Sequence, residues 1–199
     1  MDEMLIQFHE SIPASISPEV AHVVVLRAAQ EEARERLGQF LAAAWRVKAE
    51  TLKFAHDPHG KIVVIKGTPQ RGDFSLSHSG GWVAMALSPW GRIGIDVELF
   101  PTEITVLPDG LTRREQERIE SFAELERLRA LATIWSAKEA LAKAMGLGVA
   151  LDFAAAEIDL PSLDRPIPRV VAGSAEIAAG WRMECRALPD AVVTIALAR

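Results

Sequence analysis

The side chains of this chain that could do chemistry together sit in two short blocks. The first is Ile93-Gly94-Ile95-Asp96-Val97-Glu98, and the second is Trp135-Ser136-Ala137-Lys138-Glu139-Ala140-Leu141-Ala142-Lys143. In the first, Ile93, Ile95 and Val97 alternate with Gly94, Asp96 and Glu98, the period of a strand, so both carboxylates fall on one face. Gly94 shares that face and is expected to leave room there for a bulky ligand. The second block is rich in Ala, Leu, Lys and Glu, reads as a helix closed by Gly146, and puts Glu139 and Lys143 on one face at i,i+4. Two strand carboxylates and one helix carboxylate offer hard oxygen donors flanked by lysines, which suits Mg²⁺ arriving with substrate phosphates. Each block also has a simpler reading: a solvated sheet face, and a surface ion pair worth about 0.2–0.5 kcal/mol.

The elements that must position these residues follow from pattern. Met4 to Phe8 is a short strand candidate. Ser17-Pro18-Glu19 has the look of a helix start, with Ser17 as N-cap, and helix is expected over Ala21 to Ala29 and again from Glu31 to Trp45. Thr51 to Phe54 is expected as a strand, and His56-Asp57-Pro58-His59-Gly60 is a turn. Three strands are expected at Phe74–His78, Trp82–Ser88 and Arg92–Glu98, joined by Ser79-Gly80-Gly81 and Pro89-Trp90-Gly91 as an antiparallel meander. That meander would bring Ser77-His78 beside Asp96-Glu98. After a polar linker, Thr112 and Glu115 have capping-box spacing at the head of a helix. A long helix over Ala123–Met145 has Leu125, Leu128, Leu131, Trp135 and Met145 as its expected buried stripe. A strand at Phe153–Leu160, a Pro-rich loop and a hairpin of Trp181–Leu188 with Ala191–Leu197 complete the chain.

Composition narrows the classes. The 199 residues are 49% hydrophobic and 25% charged, enough for one large or two small domains with a proper core. A formal net charge of −5 without a basic stripe argues against non-specific nucleic-acid binding. The single cysteine, Cys185, excludes an internal disulfide and points to a reducing compartment; a small buried apolar role in a strand is expected for it. Neither a leader pattern nor a membrane-length apolar run is present, so a cytoplasmic protein off the membrane is expected.

Taken together, Gly-Ile-Asp-x-Glu followed by Trp-Ser-x-Lys-Glu-Ala-x-x-Lys-Ala-x-Gly resembles the signature of the 4′-phosphopantetheinyl transferases. The resemblance is dense from Phe74 to Val149, including Ser77-His78-Ser79, and thin elsewhere. It implies transfer of the phosphopantetheine arm of coenzyme A to a serine of an apo acyl or peptidyl carrier protein, with Mg²⁺ and release of 3′,5′-adenosine bisphosphate. The length is similar to the larger, surfactin-synthetase-activating type. The implied fold is α+β, a monomeric single-chain pseudo-dimer of two similar halves, residues 1–90 and 91–199, the latter carrying the metal site. By the same resemblance Asp96, Glu98 and Glu139 hold Mg²⁺. Lys61, Ser77, His78, Lys138 and Lys143 contact coenzyme A, and Glu115, Glu139 and Lys143 act in catalysis, Glu115 as base or water holder. Two departures stand out: Ile62 follows Gly60-Lys61 where relatives have proline, and Val20 to Val25 lacks the basic residues relatives use on the 3′-phosphate. Lys61 and His78, with Arg34 or Arg36, are then the remaining candidates for that group. Arg113 and Arg114 are candidates for docking an acidic carrier. A relative that binds coenzyme A or a carrier without transfer, and an unrelated Mg²⁺-dependent phosphohydrolase, are the alternatives.

Overall fold

The run Val23-Val24-Val25-Leu26 is branched and apolar at consecutive positions, and in the computed structural model it is part of a strand rather than the expected helix. The structure describes residues 5–67, 72–105, 107–164, 166–173, 177 and 180–198. The first strands are β1 (Ile6–His9) and β2 (Ala21–Arg27), followed by helix α1 (Ala33–Trp45). Met4, at the start of the expected first strand, lies outside the described residues. Strand β2 is buried on both faces: Val24 packs toward α1, while Val23 and Val25 pack toward a second sheet. A strand covered on both sides reads as a continuous apolar run, which periodicity cannot separate from a buried helix. Ser17 therefore caps no helix; its hydroxyl accepts from the Glu19 N–H in a local turn.

Next come β3 (Lys53–His56) and β4 (Ile62–Lys66), a hairpin through the His56–Gly60 turn, then β5 (Asp73–Ser79), β6 (Trp82–Ser88) and β7 (Ile93–Leu99). The expected meander is only half right. Strands β5 and β6 pair antiparallel, but β6 is flanked by β2 and β5 in the order β1-β2-β6-β5 and has no free edge for β7. Strand β7 pairs instead with the last strand of the chain.

The second half contains α2 (Arg113–Glu120), α3 (Glu124–Met145), a short pair β8 (Glu157–Asp159) and β9 (Arg169–Ala172), and the hairpin β10 (Trp181–Ala187) and β11 (Ala191–Ala198). The sheet order is β10-β11-β7, all antiparallel, with Thr194 opposite Asp96. Three apolar clusters define the layers: α1 against one face of β2, β5 and β6; the two sheets against each other; and α3 with α2 and β8 on the outer face of the second sheet. Ile93, Ile95 and Val97 enter the sheet–sheet core together, as their alternation requires.

Helix α3 is buried almost all round from Ala130 to Met145, not along one stripe, and Leu125 is 76% exposed. Its contact with β7 depends on Gly94. A Cβ there would stand 1.9 Å from the Ala140 carbonyl oxygen and 2.5 Å from the Ala144 nitrogen. The space that glycine frees is thus filled by helix backbone, not by a ligand. Cys185 lies in β10 as expected, half-buried, with its sulfur 2.9 Å from Thr194 Oγ1. No helix among the described residues is long and apolar enough to cross a membrane.

Candidate active site

Strands β5 and β7 share no backbone ladder, yet they are stitched together. On β5, Phe74 and Leu76 turn toward α1, which leaves Asp73, Ser75 and Ser77 facing β7. Asp73 Oδ2 accepts from Ile93 N–H at 2.9 Å, Ser75 Oγ from Ile95 N–H at 3.1 Å, and Ser77 Oγ from Val97 N–H at 3.4 Å. Each rung advances both strands by the same step, so side-chain oxygens replace a parallel backbone ladder. The join fixes Ser77 beside Asp96 even though the two sheets are separate.

Where this seam meets α3, a cavity of about 440 Å³ opens, lined by Asp96, Glu98, Glu139, Lys143, Ser77 and His78, and by His56, His59 and Lys61 from the β3–β4 turn. Asp96 is buried; its Oδ1 accepts from Lys143 Nζ at 2.7 Å and from the Ser77 hydroxyl at 2.8 Å. Its Oδ2 is buried with no hydrogen-bond partner. Burial, reinforced by the charges of Asp96 and Glu139 and opposed by Lys143, pushes Glu98 up to about 7. Burial and the Asp96 charge raise Glu139 in the same direction, again against Lys143. Carboxylates crowded in a poorly hydrated site favour either protons or a cation. Among the described residues no group of three or more His, Cys, Asp or Glu forms a ready-made metal cage. An orphaned carboxylate oxygen with two strained carboxylates alongside fits Mg²⁺, which binds through few protein carboxylates and completes its shell with water and phosphate. A larger cavity of about 770 Å³ lies between the end of α1 and residues 16–20; among the described residues its lining has Arg46 as the one charged side chain and no carboxylate.

The β3–β4 turn adds basic groups to the cavity lining. Lys61 Nζ is 2.6 Å from Asp73 Oδ2, the acceptor of the first rung, and His78 is exposed. His56 Nδ1 lies 2.9 Å from the Gly60 carbonyl oxygen, and Arg34 lies 2.6 Å from His56 Nε2. Arg36 is tied to Glu32. Gly148, at φ +49, lets the loop after α3 close against this turn, since a Cβ there would meet the His59 carbonyl oxygen at 2.1 Å. The sequence marks His56 and His59 only as turn residues, and the turn motif is the signal that points to them. Ser136, part of the helical block but without a role legible from its spacing, is buried in α3, donates to the Asp96 carbonyl oxygen at 3.3 Å and fixes the helix to the strand.

Two expected site residues are not brought to the cavity. Lys138 projects to another side of α3, is 0% exposed, and donates to the carbonyl oxygens of Phe153, at 2.6 Å, and Ala156. Its Nζ also pairs with Glu115 Oε1 at 2.9 Å. Glu115, 1% exposed, accepts from Ile158 N–H at 2.7 Å and, through its other oxygen, from Thr112 N–H at 2.6 Å. The capping box is complete, and it consumes the carboxylate. Both oxygens are engaged and neither residue lines the cavity, so the structure does not bring Glu115, or Lys138 with its pKa lowered by burial, to where a substrate would sit. Arg113 pairs with Glu117 and Arg114 with Glu157, and neither lines the cavity.

Comparison with known proteins gives this geometry its class. The model of the 4′-phosphopantetheinyl transferase superfamily matches residues 92–196, which include β7, α3 and all three carboxylates. The chain belongs to that superfamily. It is similar to the L-aminoadipate-semialdehyde dehydrogenase-phosphopantetheinyl transferase of Rattus norvegicus, 27% identical over 179 residues, covering 74% of this chain and 58% of the relative. A phosphopantetheinyl transferase of Thraustochytrium sp. is 27% identical over 153 residues, covering 60% and 53%. The chain thus spans little more than half the length of these relatives. Among solved structures, holo-acyl-carrier-protein synthase from Neisseria meningitidis overlays 54% of this chain and 97% of its own, with 23% identity and a TM-score of 0.43.

Proposed function

We propose that this protein transfers the 4′-phosphopantetheine arm of coenzyme A to a serine hydroxyl of an apo carrier protein, and that Mg²⁺ is required. The observation that carries the reading is the partnerless, buried Oδ2 of Asp96, set between two carboxylates whose charged forms are disfavoured, with Lys143 across from them. The carrier serine attacks the β-phosphorus of coenzyme A, the pyrophosphate bond breaks, and 3′,5′-adenosine bisphosphate leaves. Asp96, Glu98 and Glu139 would hold the cation, which when bound supplies charge neutralisation on the pyrophosphate. Lys143, 25% exposed, adds positive charge on the same side. With Glu115 withdrawn into its ion pair, the proton of the attacking hydroxyl goes to a carboxylate that faces the cavity. A Glu139 oxygen not given to the cation would serve as that acceptor, since the side chain lines the cavity beside Lys143. Lys61, His78, His56 and His59 in the lining suit the cavity to the adenosine phosphates.

The chain also reads as two halves dividing near residue 90, since one long helix backs one sheet on each side of that point. The cavity draws on both, so a monomer suffices to build it. Incubating the protein with coenzyme A, Mg²⁺ and a panel of apo acyl and peptidyl carriers tests the reading. Mass spectrometry should find one phosphopantetheine arm added to a carrier serine. No addition to any carrier, with coenzyme A still bound tightly, would make this a binding protein rather than a transferase.

A further inference from the structure

Ser77 is the end of the β5–β7 stitch, and its hydroxyl is fully committed. A serine hydroxyl offers one donor and two acceptor sites. Its hydrogen goes to Asp96 Oδ1 at 2.8 Å. Its lone pairs receive Val97 N–H at 3.4 Å and Lys143 Nζ at 3.0 Å. Nothing remains for a phosphate oxygen, and the residue is only 7% exposed. What the hydroxyl does is occupy Asp96 Oδ1 together with Lys143. The carboxylate is thereby held at one oxygen, and its other oxygen is left bare and buried toward the carboxylate cluster.

We propose that Ser77 is a positioning residue that orients Asp96, presenting Oδ2 as a cation ligand, rather than a residue that binds coenzyme A. The inference rests on the cation site proposed above. Ser75 supplies the control, because it makes the adjacent rung, to Ile95 N–H, and is not bonded to Asp96. A purely structural role would make the two serines equivalent. A ligand held by such a hydrogen bond typically loses about 10–100-fold in metal affinity when the orienting partner is removed.

The experiment measures Mn²⁺ affinity in the presence of coenzyme A by electron paramagnetic resonance of the free ion, and coenzyme A affinity in chelator by calorimetry. Ser77→Ala should weaken Mn²⁺ about tenfold or more and leave metal-free coenzyme A affinity as in the wild type. Ser75→Ala should lower the melting temperature yet keep wild-type Mn²⁺ affinity. The isosteric pair Ser77→Thr and Ser77→Val isolates the hydroxyl and decides the matter if the alanine variant does not fold. Threonine should restore Mn²⁺ binding and valine should not. Equal Mn²⁺ affinity in the threonine and valine variants, or an equal loss in Ser75→Ala, would overturn the positioning role. So would a loss of metal-free coenzyme A affinity in Ser77→Ala. If wild-type protein with coenzyme A leaves Mn²⁺ free, the cation site itself fails, an outcome distinct from all the others.

Discussion

At the scale of single residues, the cavity stores repulsion. Glu98 is raised from 4.5 to about 7, so between those values the folded chain binds a proton that the unfolded chain has released. Stability in the absence of a divalent cation therefore falls as pH rises through that window. Glu98→Gln removes the charge and should melt above the wild type at pH 8 in chelator, with the gap closing below pH 4.5. Thermal melts at both pH values check this; a glutamine variant that melts lower than wild type at pH 8 would mean that Glu98 is stabilised by its surroundings. The carboxylates themselves were legible from strand alternation and helical spacing. The missing partner of Asp96 Oδ2 was not, because it depends on Ser77 and Lys143 converging from two other elements.

At the scale of elements, two contacts decide where the chemistry can be. Gly94 allows α3 to lie directly on β7, which sets Glu139 and Lys143 opposite Asp96. Gly94→Ala would drive a methyl into the Ala140 carbonyl, a backbone clash that costs about 1–3 kcal/mol or more of stability. It should also weaken Mn²⁺ binding in the folded fraction, because the helix must lift from the strand; denaturant melts and the same Mn²⁺ titration read the two effects separately. The glycine was visible in the sequence, but its neighbour was not, since a ligand and a helix make the same demand on a missing side chain. The second contact is the Lys138–Glu115 pair, which ties α3 to α2 and β8. Removing one partner of a buried ion pair costs about 3–5 kcal/mol. Glu115→Gln should therefore lose stability in that range, while its turnover per folded molecule, measured at low temperature, stays within severalfold of wild type. Loss of turnover at unchanged stability would return Glu115 to the role of base. Here the sequence carried both signals at once, a capping box and a family motif. The structural role prevails because Thr112 N–H, Ile158 N–H and Lys138 engage both oxygens of the carboxylate and hold it in the interior, away from the cavity.

At the scale of the whole molecule, the candidate cavity belongs to neither sheet alone. The β3–β4 turn and β5 come from one side, and β7 and α3 from the other, joined by the side-chain rungs from Asp73, Ser75 and Ser77. Helices α1 and α3 and the final hairpin could be read from periodicity and turn residues, and the α+β class followed from the family resemblance. The strand β2 could not, because burial on both faces erases the period, nor could the exchange of β7 into the second sheet, because a hairpin turn specifies a reversal and not a partner. The central claim is that Asp96 presents a cation to the pyrophosphate of coenzyme A. Transfer to an apo carrier, measured for wild type and Asp96→Asn across a Mg²⁺ titration with melts recorded alongside, tests it most directly. Asp96→Asn should fold and lose about a hundredfold or more in kcat/KM, near 3 kcal/mol, without recovery at high Mg²⁺. Near-normal transfer by Asp96→Asn, or transfer by wild type that is indifferent to Mg²⁺, would contradict it.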